Sequence, residues 1–140
     1  MESADLGRQL GATRPIATSQ VTLFLPSVDR EGSPIDQEQW RDEALAVFGD
    51  LFRGGTAFPP GRGVWRDDDR GGALVFDDTV MLTSYVEPAL LDNEVVVERL
   101  RAFLHRLGRE GHQGEVAIVV DDDFISISEF DPSTEEESDG

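Results

Sequence analysis

Apolar positions recur with two different periods along this chain, and each change of period marks an element. Over Gln20–Val28 the period is two. Val21, Leu23 and Leu25 fall on one face, Thr22 and Phe24 on the other, which predicts a strand. Pro26 marks a sheet edge or the end of that strand, because proline cannot donate to a ladder. Asp29–Pro34, with Gly32, reads as a loop. The period then lengthens. Trp40, Ala44, Val47, Phe48, Leu51 and Phe52 form one helical stripe. Asp36 with Gln39 has capping-box spacing, Ile35 and Trp40 take the staple positions, and Gly54–Gly55 stops the helix.

Extended pieces follow at Thr56–Phe58, Gly63–Arg66 and Ala73–Phe76, with the turn-rich Asp67–Gly72 as a hairpin tip. Thr79–Val86 is apolar and β-prone, a central-strand pattern closed by Pro88. A second helix starts near Asp92 or Asn93, buries Val96, Leu100, Phe103, Leu104 and Leu107, and ends around Gly108 and Gly111. Glu115–Val120 is a further strand, and Phe124–Ile127 is either its continuation or a returning strand. The predicted fold is therefore α+β, a ferredoxin-like split βαβ (β-α-β-β-α-β) with an extra central hairpin. In domain terms, residues 1–19 read as a flexible arm with a short helical turn near Leu6–Leu10. Residues 20–130 read as the domain, and 131–140 as a disordered acidic tail.

Charge adds a statement about solvent. The chain has no lysine, so all 12 basic residues are arginine, against 29 acids for a net charge of −17. Residues 1–120 carry 20 acids and the 12 arginines, while residues 121–140 carry 9 acids and no base. Dense carboxylates keep a surface hydrated in molar salt, where the Debye length falls to about 3 Å. Composition thus points to a halophilic, haloarchaeal-type cytoplasm. An ordinary acidic bacterial protein and a functionally acidic partner of a basic protein are the other readings. With no cysteine, disulfides, thiolate metal sites and cysteine nucleophiles are excluded. No apolar stretch approaches a membrane span and no export signal is visible, so a cytoplasmic location with no membrane contact is expected.

The segments VTLFLPSVDREGSPIDQEQW and GVWRDDDRGGALVFDDTVMLTSYV carry a resemblance. With Trp40, Gly63, Trp65, Arg66, Leu74 and Val75 as its marks, the chain over residues 20–90 resembles a family of small prokaryotic ferredoxin-like domains of unknown function. The resemblance implies the fold and no activity. Many members of that family look exported or lipid-anchored, a property this chain lacks the signal and the cysteine to share.

Candidate chemistry is sparse. Arg62, Trp65 and Arg66 place two guanidinium groups and an indole close together, a combination able to stack a ring or a partner's aromatic side chain. On a strand, Trp65 points away from the face of Val64 and Arg66. The competing reading has Trp65 anchoring the hairpin on the first helix, with the arginines paired to Asp67–Asp69. The acidic runs Asp67–Asp69 and Asp121–Asp123 lack calcium-loop spacing and read as solvated surface. His105 lies beside the second helix's stripe and His112 beyond its end, neither with a ligand neighbour at metal spacing. Ser84, Tyr85, Ser126 and Ser128 sit in no nucleophile motif, and no phosphate loop is present. No catalytic residue, metal or cofactor is assigned, and the net charge disfavours nucleic acid.

The function expected from these residues is a non-catalytic binding or assembly module. It pairs with itself or a protein partner through a sheet face or edge. Two alternatives stand beside it. One is a small enzyme or ligand-binding protein with an apolar pocket at a sheet-mediated dimer, near Trp65, Tyr85 or His105. The other is an acidic inhibitor or DNA mimic that engages a basic protein.

Overall fold

The computed structural model describes residues 3–13 and 17–133. A short helix α1 (Ser3–Gln9) precedes strand β1 (Ser19–Leu25) and helix α2 (Gln37–Phe52). Strands β2 (Thr56–Ala57), β3 (Gly61–Asp67) and β4 (Ala73–Val86) follow, then helix α3 (Glu94–Glu110) and strands β5 (Val116–Val120) and β6 (Asp123–Ile127). The α+β class expected from the sequence is present as one antiparallel sheet of six strands with three helices. Its order is β2-β4-β1-β5-β6, and β3 pairs with the first half of β4.

One layer of side chains makes the core. Val21, Leu23 and Leu25 of β1, Val80, Leu82 and Val86 of β4, and Val116 and Ile118 of β5 point to the helices. They meet Ala44, Phe48, Leu51 and Phe52 of α2 and Phe103, Leu104 and Leu107 of α3. Burying one such large apolar side chain contributes roughly 1.5–3 kcal/mol.

α2 begins as its sequence requires: the Asp36 carboxylate accepts from Gln39 N–H at 3.1 Å. Its end differs from expectation. The left-handed residue is Arg53 (φ 71°), ahead of Gly54, and its N–H donates to the Gly49 carbonyl at 3.0 Å. Gly55 serves packing instead, since a Cβ there would lie 3.0 Å from Phe48 Cβ.

Four further expectations are corrected. Pro26 ends β1 without making it an edge, for β1 lies between β4 and β5. The pieces read separately as Ala73–Phe76 and Thr79–Val86 form the single 14-residue strand β4. Asp77 and Asp78 do not break it, because Ser27 N–H donates to Asp77 at 3.0 Å and the Ser27 hydroxyl donates to it as well. Of the two glycines expected to end α3, Gly111 caps it and Gly108 lies inside it, since the helix continues to Glu110. Glycine is required there by a neighbour: a Cβ would stand 2.2 Å from the Phe130 ring. Finally, Asp131, read as the first residue of a disordered tail, is bound to α3 by three side chains described below. The rest of that expected tail, from residue 134 on, lies outside the described residues.

The interruption at Asp121–Asp123 resolves as a tight turn, so β6 returns antiparallel beside β5. Asp121 takes φ 52° there, and its carboxylate accepts from Gln20 N–H at 2.9 Å. α1 occupies the segment read as an arm, where Leu6 and Leu10 are exposed.

Candidate functional site

Among the described residues, the outer face of the sheet carries no helix. Antiparallel register places side chains in rows across it. Phe58 (through its N–H to the Met81 carbonyl), Met81, Phe24, Ala117 and Ser126 form one row. Thr56, Thr83, Thr22, Val119 and Phe124 form the next, and Tyr85 and Gln20 a third. None of these side chains is charged. Tyr85 is 67% exposed, Phe124 63% and Phe58 51%. Inside the face, the Thr22 and Thr83 hydroxyls satisfy one another at 3.1 Å. They therefore ask for no partner, and the face behaves as an apolar surface.

β4 carries this face beyond the main sheet. Its last pairing with β1 is Leu25↔Val80. From Ala73 to Thr79 it pairs with β3 alone, making a two-stranded ribbon. The three residues singled out in the sequence all lie on that ribbon, and the pleat divides them. Trp65, opposite Val75, continues the outer sheet face and is 55% exposed, so it does not pack on α2. Arg62, opposite Asp78, and Arg66, opposite Leu74, project to the other side with Val64 and Phe76. Arg62 donates to Asp78 at 3.1 Å and lies over the Phe76 ring, 5.3 Å from its centroid. Arg66 donates to Asp68 at 2.6 Å, and Arg70 approaches Asp67 at 3.5 Å. The structure thus does not bring the indole and the two guanidinium groups onto one surface.

The ribbon's root is braced. Besides the Ser27–Asp77 bonds, Gln37 Nε2 donates to the carbonyls of Leu25 (3.1 Å) and Asp78 (2.8 Å). A helix side chain therefore ties the end of β1 to the middle of β4.

At the opposite end of β4 an open cleft of about 660 Å³ lies between the C-terminus of α2 and the sheet margin. Phe52, Gly54, Phe58, Met81, Thr83, Tyr85 and Glu87 are among its walls. Ser84, which sits in no nucleophile motif, donates to the Gly54 carbonyl at 2.6 Å and so holds that margin together.

The histidines separate. His112 sits in a loop with φ 50°. His105 is 5% exposed, and its Nδ1 accepts from the Asp131 backbone N–H at 2.7 Å. Around the same aspartate, Arg101 donates to both carboxylate oxygens, at 2.8 and 3.1 Å, and Arg109 to the backbone carbonyl at 2.5 Å. The Arg101 hydrogen bond holds the Asp131 carboxyl below its ordinary value, opposed by desolvation and helped by the charges of Arg101 and Arg109. Arg101 is shifted upward in return, chiefly by the same bond. Phe130 meets the His105 ring edge-on at 6.0 Å and fills the notch above Gly108.

Sequence reasoning missed this clip. Its available signal was Gly108 three residues after His105 within a helical pattern, together with an isolated Phe130 beside the acidic tail. Among the described residues no group of three His, Asp or Glu side chains is placed to hold a metal ion. No helix among them is long and apolar enough to cross a membrane.

No protein-family profile matches the chain, and no curated protein matches it. Solved structures do resemble it. A phage SAM lyase in complex with S-methyl-5'-thioadenosine aligns with TM-score 0.61 at 16% identity, over 81% of this chain and 92% of that one. A phage SAM lyase in the apo state aligns with TM-score 0.58 at 16% identity, over 86% and 97%. A divalent cation tolerance protein (Cut A1) from Thermus thermophilus aligns with TM-score 0.45 at 12% identity, over 86% and 92%. At these identities the likeness to the phage lyases is one of fold: this chain has the fold of a small α+β domain whose single antiparallel sheet is covered by helices on one side.

Proposed function

We propose that this chain is a self-assembling binding module of ferredoxin-like topology, in which the outer sheet face of one copy covers that of another. The ferredoxin-like topology is supported by the order β2-β4-β1-β5, which matches a split βαβ arrangement when β2 and β3 are taken as one interrupted strand and β6 as an addition at the edge. The observation that carries the reading is the uncharged rows of the outer face, from Phe58 to Ser126 and from Thr56 to Phe124, in a chain with net charge −17. Two such chains repel one another wherever their carboxylates meet. An uncharged apolar face is where they approach at least electrostatic cost. In the salt-rich cytoplasm that the composition favours, apolar association is strengthened and residual repulsion screened.

Sedimentation at high and low salt tests this. The chain should associate, more strongly in high salt, and Met81→Glu should weaken association by at least about 100-fold, because it buries an unpaired charge at the interface. A monomer at every salt concentration overturns the reading.

The cleft supports a second reading, a ligand site at the margin of the same face. Phe58 and Tyr85 offer ring faces, and Glu87 an acceptor for hydroxyl groups. The phage lyase with this fold holds S-methyl-5'-thioadenosine. A nucleoside thioether is therefore the ligand class to try first. Calorimetry with S-methyl-5'-thioadenosine, repeated on Tyr85→Ala, decides it: heat with the native chain that the variant loses supports the site, and no heat with the native chain removes it.

A further inference from the structure

The ribbon asks for an explanation that the sheet face alone does not supply. From Val80 back to Ala73, β4 advances about 3.3 Å per residue, so the ribbon extends roughly 20 Å beyond the end of β1. A two-stranded hairpin standing alone in water is marginally stable at best. This one is nevertheless continuous with the longest strand of the sheet and is braced at its root by Gln37 and the Ser27–Asp77 bonds.

Its two sides are treated differently. On the Phe76 side, Arg62 lies over the Phe76 ring, and Arg66 stands beside its cross-strand neighbour Leu74. The arginine stems shield apolar surface there, and their charges are matched by Asp78 and Asp68. The Trp65 side has no such shield. Trp65 and Val75 face outward between the cross-strand pairs Gly63–Asp77 and Asp67–Ala73, and neither Arg62 nor Arg66 lies on that side.

We infer that the ribbon is an arm whose Trp65 side lies on the outer sheet face of a second copy of this chain. The inference rests on the assembly reading above and names the contact that extends it. Three observations select the occupant. The Trp65 side is continuous with the outer face, because Val75 and Met81 lie on the same side of β4. The ribbon's cations are already paired at home, so an acidic partner gains nothing from them and a basic one finds no free cluster to bind. And the outer face offers an uncharged apolar area for an indole to cover, in the rows that hold Phe58, Met81, Phe24 and Phe124. An arm and a face on the same chain suit a two-fold contact, in which each copy gives and receives one arm.

Fluorescence tests the arm. Trp40 and Trp65 are the two tryptophans, so Trp40→Phe leaves Trp65 as the reporter. If that variant does not fold, the difference spectrum between the native chain and Trp65→Phe gives the same reading. Across the concentration range in which sedimentation shows association, Trp65 emission should shift to the blue and become protected from acrylamide. Trp65→Glu should weaken association about 30-fold or more, as expected for a central aromatic anchor, while leaving the far-ultraviolet circular dichroism unchanged. Association with Trp65 still quenchable and Trp65→Glu still assembling overturns the arm and leaves the sheet-face reading intact. Protection of Trp65 in an assembly that Met81→Glu does not weaken keeps the arm and removes the sheet-face reading. A chain that stays monomeric overturns both.

Discussion

Arg66 and Arg101 each grip an aspartate through their guanidinium groups, but the partners lie at different distances along the chain. Arg66 takes Asp68, two residues on, at the tip of the ribbon. Arg101 takes Asp131, thirty residues on, and draws the end of β6 back across α3. Closing a loop of two residues orders almost nothing that the hairpin had not already ordered. Closing one of thirty fixes where the chain goes, at an entropic cost that a single exposed ion pair does not repay. Hence the second contact is not single: His105, Arg109 and the Phe130 ring in the Gly108 notch act with Arg101. The comparison shows that a conspicuous cluster in sequence and a cooperative cluster in space are different things. Arg62, Trp65 and Arg66 stand out when the chain is read, and the pleat then sends them to opposite sides. Arg101, His105 and Arg109 look like ordinary helix surface and converge on one residue.

The largest expected effect breaks the clip by volume. Gly108→Ala sets a methyl group against the Phe130 ring and should destabilise the chain by about 1–3 kcal/mol, the usual range for overpacking. Chemical denaturation measures it, and an unchanged midpoint would mean that Phe130 is not seated in the notch. The next effect is one of pH. Asp131 has a folded-state value lowered by Arg101, so its stabilising contribution is present above the ordinary value of 3.8 and is lost as pH falls through the lower folded value. Carbon NMR of the Asp131 carboxyl should therefore give a midpoint below 3.8 in the native chain and a return toward it in Arg101→Gln. Equal midpoints in the two would remove the ion pair from the clip. The smallest effect belongs to the ribbon. Arg66→Ala should change stability by less than about 0.5 kcal/mol, since both partners are well exposed and neighbours in sequence. A larger loss would show that the ribbon's charge pairs do more than mask apolar surface.

Much of the fold was legible because its signals are local. The Asp36 cap, the Trp40–Phe52 stripe, the alternation through Val21, Leu23 and Leu25 and the Asn93 cap each depend on a few neighbouring residues, and each appears in the structure. Where local rules misled, a distant residue had overridden them. The acids at Asp77 and Asp78 looked like a break until Ser27 satisfied Asp77. Gly108 looked like a helix stop until Phe130 occupied the space above it. The outer face escaped notice for a related reason. Phe24, Met81 and Phe124 are scattered in sequence among threonines and acids, and register alone aligns them with Phe58 and Tyr85.

The sequence by itself determined the α+β class, most element positions and a net charge of −17, because propensity, capping and charge are carried by the residues themselves or act over one or two turns of chain. Only the tertiary structure decided that one sheet face stays bare, that Trp65 extends it on a projecting ribbon, and that Asp131 is held by α3. Those outcomes depend on strand register and on contacts between residues far apart in the chain, and no local pattern specifies which distant side chain will fill a given space.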